Sequence, residues 1–331
     1  MLKLAILLSG VAVLAVLPLW AQEGQDPEQY RIEYTAYQDA TSKEGDEKID
    51  ALVKFYKDFP ESSLLPYVKG EFLRILQAAY DNKDADKVAS LTEKFQTVEP
   101  DEIGPVYLTA DLYFKQGQYA QAISWAEKVH SQTDNAEFKK QARYIIVFSA
   151  LNTGNAAKIR QHGPDVIEDY GPEATYAVST ELMRQAVASG NVSEAAKWAS
   201  KALEGYAAVE SSANAETRQY ISEHRLTAAI VLGENAFSRQ QWNRAIREFQ
   251  NVLSMTNDKE KVAQAYYKIG MSHWKAGQVE PDAMKAFARG HKLGTGQFAR
   301  QCFKHLEELY KIRHNGSTAG MDEFIQEAVA E

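Results

Sequence analysis

The chain has 331 residues, 45% of them hydrophobic and 25% charged, which are the proportions of a folded protein and not of a disordered one. A formal net charge of −8 and a pI of about 5.5 argue against a general nucleic-acid or anionic-membrane binder, although a local patch can oppose the mean. The single cysteine, Cys302, cannot form an internal disulfide, so packing alone must hold the fold.

Residues 1–21 read as an address. Lys3 gives a positive start, Leu4 to Leu17 is apolar, and Pro18-Leu19-Trp20-Ala21 precedes the polar Gln22-Glu23-Gly24-Gln25. The expectation is export to the periplasm or the medium, with cleavage after Ala21 and no membrane insertion afterwards. The competing reading is an uncleaved anchor, because the apolar run approaches the lower limit of what spans a bilayer. Residues 22–29 form a polar, flexible lead-in.

From there the chain writes one unit repeatedly. The clearest copy is Tyr107 to Val129, where Ala110, Leu112 and Tyr113 mark a first helix, Gly117 ends it, and Tyr119, Ala122, Ile123 and Ala126 fall at helical spacing on a second. Small Ala110 and Ala122 let two antiparallel helices approach. Such a hairpin cannot bury its own apolar faces and must stack on others. Hairpins are predicted near residues 30–60, 65–100, 104–131, 138–168, 174–204, 225–255 and 261–293. A capping helix follows at 297–311, then a tether and short amphipathic helix over 312–331. The turn positions Lys83, Gly117, Gly154, Gly190, Gln240 and Gly277 are separated by steps of 34, 37, 36, 50 and 37. The long step falls between Leu203 and Leu226, where an Ala-containing, proline-free segment predicts helix extension or a short extra helix. Pro281 interrupts the start of a second helix with what reads as one extra residue.

These residues resemble the tetratricopeptide-repeat family over about residues 30–293. The matches are Leu232-Gly233, Trp242, Ala245, Phe249 and Val252 in one repeat, Ile269-Gly270 and Gly277 in another, and Ala110, Tyr113, Gly117, Tyr119 and Ala122 in the central one. The resemblance implies an all-α, right-handed superhelical solenoid of about seven hairpins that binds proteins and does no chemistry. In that family the first helices line a concave groove for a peptide. Aligned by turns, this face carries Tyr80, Tyr107, Asp111, Phe114, Tyr144, Phe148, Leu151, Arg184, Glu234, Phe237, Tyr267, Met271 and Trp274. A row of rings gives large contact area at small entropic cost. The alternative is that the rings only pack between adjacent first helices. Phe59-Pro60-Glu61-Ser62-Ser63 is similar to members that take part in outer-membrane assembly, which points to an envelope scaffold.

Motifs of catalysis are missing: the sequence has no P-loop, H-E-x-x-H, paired C-x-x-C or G-x-S-x-G. Gly294-Thr295-Gly296 lacks a dinucleotide fingerprint's third glycine. Cys302 and His305 share a helix face, but two ligands do not make a metal site. No cofactor, metal or nucleic acid is expected; the predicted partner is a protein or peptide. The sequence leaves two rivals standing, a hydrolase-like enzyme using the groove and a self-associating structural repeat.

Overall fold

A chain that reverses direction immediately after a helix needs one residue with left-handed backbone, which costs any side chain but glycine a Cβ clash. In the computed structural model, which describes residues 26–330, all six turn positions take that conformation: Lys83 and Gln240 at φ 59°, Gly154 at 69°, Gly117 and Gly190 at 73°, and Gly277 at 81°. Five of the turns close with the same pair of hydrogen bonds. At Gly117 its N–H donates to the Phe114 carbonyl (3.1 Å) and that of Gln118 to Tyr113 (2.9 Å); at Gln240 the corresponding acceptors are Phe237 (3.0 Å) and Ala236 (2.9 Å). Lys83 and Gln240 therefore perform the glycine's task at some conformational cost. Past three of the turns a polar side chain caps the next helix, Asp84 accepting from the Lys87 N–H, Asn155 from Lys158 and Asn191 from Glu194.

Two compact units result, divided between residues 153 and 154. The first comprises α1 (Pro27–Ser42), α2 (Gly45–Asp58), α3 (Leu65–Asp81), α4 (Ala85–Gln96), α5 (Ile103–Lys115), α6 (Tyr119–Gln132) and α7 (Ala136–Thr153). The second comprises α8 (Ala156–Ala188), α9 (Val192–Val209), α10 (Ala215–Ser238), α11 (Trp242–Met255), α12 (Lys259–Lys275), α13 (Met284–Leu293), α14 (Gly296–Arg313) and α15 (Met321–Ala330). No strand occurs among the described residues. The fold is all-α and built from helical hairpins. The segment over residues 1–21, and with it the export expectation, lies outside the described residues.

In the first unit, fully buried Ala110, Ala122 and Ala126 mark where α5 and α6 cross. Phe72 and Phe95 stack at 4.7 Å in the core of α3 and α4. The buried hydroxyls of Thr92 and Thr109 meet at 2.9 Å, and Thr109 also donates to the Pro105 carbonyl, so neither is left unsatisfied. The degenerate first repeat has a polar tie instead of small residues. Glu33, buried in α1, accepts from Ser62 Oγ (2.7 Å) and from Gln29 Nε2 (3.0 Å), fixing α1 to the loop before α3.

In the second unit α8 is broken at Gly171 (φ 74°, ψ 175°) into segments 156–170 and 172–188. The long step in repeat spacing is absorbed by helix extension: α9 continues to Val209 and α10 starts early, at Ala215. A forked pair between Arg225 and Glu210, with both bonds 2.9 Å, fastens the extensions, and the fully buried Tyr206 hydroxyl meets Thr180 Oγ1 at 2.6 Å. Pro281 sits in a π-helical turn, Val279–Ala283, which accommodates an additional residue before α13. Gly233 and Gly270, equivalent in successive repeats, face the rings of Phe249 and Phe287, and each ring lies where a Cβ would intrude. Both rings are fully buried; burial of a side chain of that size is worth roughly 1.5–3 kcal/mol. The capping helix α14 covers α12 and α13 with Cys302, Leu306 and Leu309. The C-terminal helix is not free: α15 folds back on α13, burying Met321, Ile325 and Ala328, and Arg289 Nε donates to the Ala328 carbonyl at 2.6 Å. That cation sits at the negative end of the α15 dipole.

Candidate functional site

The predicted aromatic face lies on the first helices of the hairpins, and all of its members but Arg184 share one degree of exposure. Tyr80, Tyr107, Asp111, Phe114, Tyr144, Phe148 and Leu151 in the first unit are all half-buried. So are Glu234, Phe237, Tyr267, Met271 and Trp274 in the second, whereas Arg184 is exposed. Each ring packs against a neighbour and leaves part of its surface in solvent.

Within the first unit, the Phe114 ring of α5 meets Tyr144 of α7 edge-on at 6.1 Å, and Tyr144 in turn lies 4.3 Å from Phe148. Phe114 also touches Tyr119 across the turn (6.2 Å), and Tyr107 is set against Phe138 (5.6 Å). Burial pushes the Tyr144 phenol above its ordinary range, so it is a neutral donor at physiological pH. Asp111 is committed locally: it accepts from the Tyr80 hydroxyl and pairs with Lys115 at 2.7 Å, while Lys115 donates to the Tyr80 oxygen at 2.6 Å. Burial and the hydrogen bond to Asp111 raise the Tyr80 phenol. Burial alone would lower the Lys115 ammonium; Asp111 and Tyr80 more than reverse it.

Four tyrosines outside the predicted set add to this unit. Tyr30 and Tyr34 stack at 6.1 Å along α1, Tyr34 lies 6.5 Å from Tyr37, and Tyr37 meets Phe55 edge-on. Tyr67, at the start of α3, is 49% exposed. Spacings of four and three residues between Tyr30, Tyr34 and Tyr37 place them on one face of a helix, and that was the available sequence signal.

The second unit arranges its candidates differently. Glu234 accepts from Lys268 (2.6 Å) and Gln264 (3.3 Å), and the Lys268 ammonium lies 4.5 Å over the Phe237 ring. Arg184 pairs with Glu181 on its own helix (2.9 Å). Tyr267, Met271 and Trp274 pack on the cluster of the capping helix, with Phe298 5.4 Å from Tyr267 and His305 5.3 Å from Trp274. They are shared between α12 and α14. Four clefts open elsewhere in this unit, between α9, α10, α11, α12 and α13, and none is lined by these residues.

Among the described residues, no group of three or more His, Cys, Asp and Glu is placed to hold a metal ion, and no helix is long and apolar enough to cross a membrane. No family model matches the chain, and no curated protein matches it. A chain in the solved structure titled "Crystal structure of APC/C hetero-tetramer Cut9-Hcn1" is similar at 13% identity with a TM-score of 0.31, over 86% of this chain. This chain spans 48% of that one's length.

Proposed function

We infer that the protein is a non-catalytic scaffold of the cell envelope that binds a protein or peptide partner on the aromatic face of its first helices. The observation that carries this reading is the connected row Phe114, Tyr144 and Phe148 on α5 and α7, held ring to ring and half-exposed. Rings fixed by one another lose little further entropy when a partner covers their free surfaces. Charges within the row are already paired in Asp111 and Lys115, so the partner contributes apolar and aromatic side chains and not a terminal carboxylate. Export rests on Lys3, the apolar run Leu4 to Leu17 and Ala21.

Photo-crosslinking tests the face directly. A benzophenone side chain placed at Phe114 or Phe148 is expected to capture a discrete envelope partner, whereas the same group at Glu93, exposed on the second helix α4, is not. With that partner purified, Phe114→Ala and Phe148→Ala should each weaken binding by roughly tenfold, as for an interface anchor. Folded variants that bind with unchanged affinity would remove the aromatic face from the function, and equal capture at Glu93 would remove its specificity.

A further inference from the structure

The negative mean charge of the chain conceals a basic stretch. Between Arg239 and Arg313 there are fourteen Lys and Arg against seven Asp and Glu, in a protein of net charge −8. At the edge of this stretch, a cleft of about 280 Å³ opens between α9 and the α10–α11 turn. Its charged lining consists of Lys197, Arg239 and Arg244, and its polar lining of Ser193, Ser200 and Asn235; no carboxylate takes part. The Lys197 ammonium is held 4.2 Å over the Trp198 ring, and Arg239 is steadied by donating to Ser193 Oγ at 2.8 Å. The nearest carboxylate to Arg244, that of Glu248, lies 3.9 Å from its Nε, at the limit of an ion pair.

Asn235 adds a neutral amide to the lining of the cleft. Only 8% of this residue is exposed, and its side chain lines the cleft with its amide open to the solvent there. Three cations, the Ser193 hydroxyl and the Asn235 amide around one space are rich in donors, while Ser200 is spent on the Ala196 carbonyl, so the complementary ligand is rich in acceptors. The cleft is several times the roughly 30 Å³ share of one water molecule, enough to admit a tetrahedral oxyanion. Cationic side chains favour a dianion over a single carboxylate because each adds a charge-assisted hydrogen bond.

We propose that this cleft is a binding site for a phosphate-type dianion, with Lys197, Arg239 and Arg244 as its charged ligands and Asn235 as its buried donor. The site lies apart from the aromatic face and does not depend on that face's function. Free phosphate and an organic phosphate monoester share the chemistry, and two probes separate them.

The experiment titrates the full chain with inorganic phosphate, and in a second arm with phenyl phosphate, at constant ionic strength set by chloride, reading heat and the unfolding temperature. Saturable binding is expected, with a rise in unfolding temperature. Lys197→Gln and Arg244→Gln should each weaken it about tenfold, the loss typical of one charge-assisted bond. Both side chains are exposed, so the variants should keep the parent's helical circular dichroism and its unfolding temperature in chloride alone. Tighter binding of phenyl phosphate would identify the monoester as the source, and tighter binding of inorganic phosphate the free ion. No saturable binding over the chloride control, equal binding of acetate, or undiminished binding by both variants would overturn the assignment.

Discussion

Replacing Gly205 by alanine tests how closely α9 approaches the second segment of α8. An added Cβ would lie 2.5 Å from Tyr176 Cβ, 2.6 Å from the Pro172 carbonyl oxygen and 3.1 Å from Tyr176 Cα. Unbonded carbon atoms rest at about 3.5–4.0 Å, so the overlap is on the order of an ångström. Two of the three obstructing atoms are backbone, and a Cβ has no rotamer to escape into. The helices must separate, straining the Tyr206–Thr180 hydrogen bond one residue on. Overpacking of this kind costs about 1–3 kcal/mol, with a backbone contact at the upper end; alanine's better helix propensity returns up to about 1 kcal/mol. The expected balance is a loss of about 2 kcal/mol. Gly70, inside α3, supplies the opposite case, because a Cβ there meets nothing within 4 Å; Gly70→Ala should stabilise by about 0.5–1 kcal/mol. Urea unfolding followed by circular dichroism, with the slope checked for constancy, reads both. A Gly205→Ala protein as stable as its parent, or stabilised like Gly70→Ala, would refute the close crossing.

Lys83→Gly and Gln240→Gly should each stabilise by about 1 kcal/mol, since glycine takes the left-handed turn without a Cβ clash; a loss of stability in urea would mean that these side chains contribute more than the backbone costs. Burial pushes the Cys302 thiol up to about 12, and the residue is fully buried. An aromatic disulfide reagent at pH 8 should therefore label it slowly in the folded protein and rapidly in urea. Removing residues 314–331 takes away the α15 side chains that cover α13 and should raise the native labelling rate several-fold; an unchanged rate would show that α15 does not secure this end of the fold.

The repeat phase was legible because a helix-ending turn is local chemistry. Gly117, Gly154, Gly190 and Gly277 announce it by residue type, and Lys83 and Gln240 become visible only through their spacing from the others. The two continuations suggested for the long step, extension or an extra helix, differ in whether the chain breaks near Gly205. The buried Tyr206 and the Arg225–Glu210 fork keep it helical through that point. Tertiary packing of this kind has no period to read. Partners of the candidate charges divide the same way. Lys115 four residues from Asp111 and Glu181 three from Arg184 follow from helix geometry. Lys268, which pairs with Glu234, stands 34 residues away.

That last separation is itself one repeat, and it explains the common exposure of the aromatic face. In a stack of hairpins a first-helix side chain meets the equivalent helix about one period along. Tyr80 thus reaches Asp111 over 31 residues and Lys115 over 35, while the Gln116 side chain donates to the Lys83 carbonyl over 33. Neighbours at this spacing cover the sides of each ring and leave the surface facing away from the second helices. Where α14 occupies the next first-helix position, the same rule sets Phe298 and His305 against Tyr267 and Trp274. Those rings are shared with the cap, so their truncation should loosen the cap as well as alter any surface. Phe114, Tyr144 and Phe148 belong to adjacent first helices within one unit, and a binding defect there, in a protein whose melting is little changed, distinguishes recognition from packing.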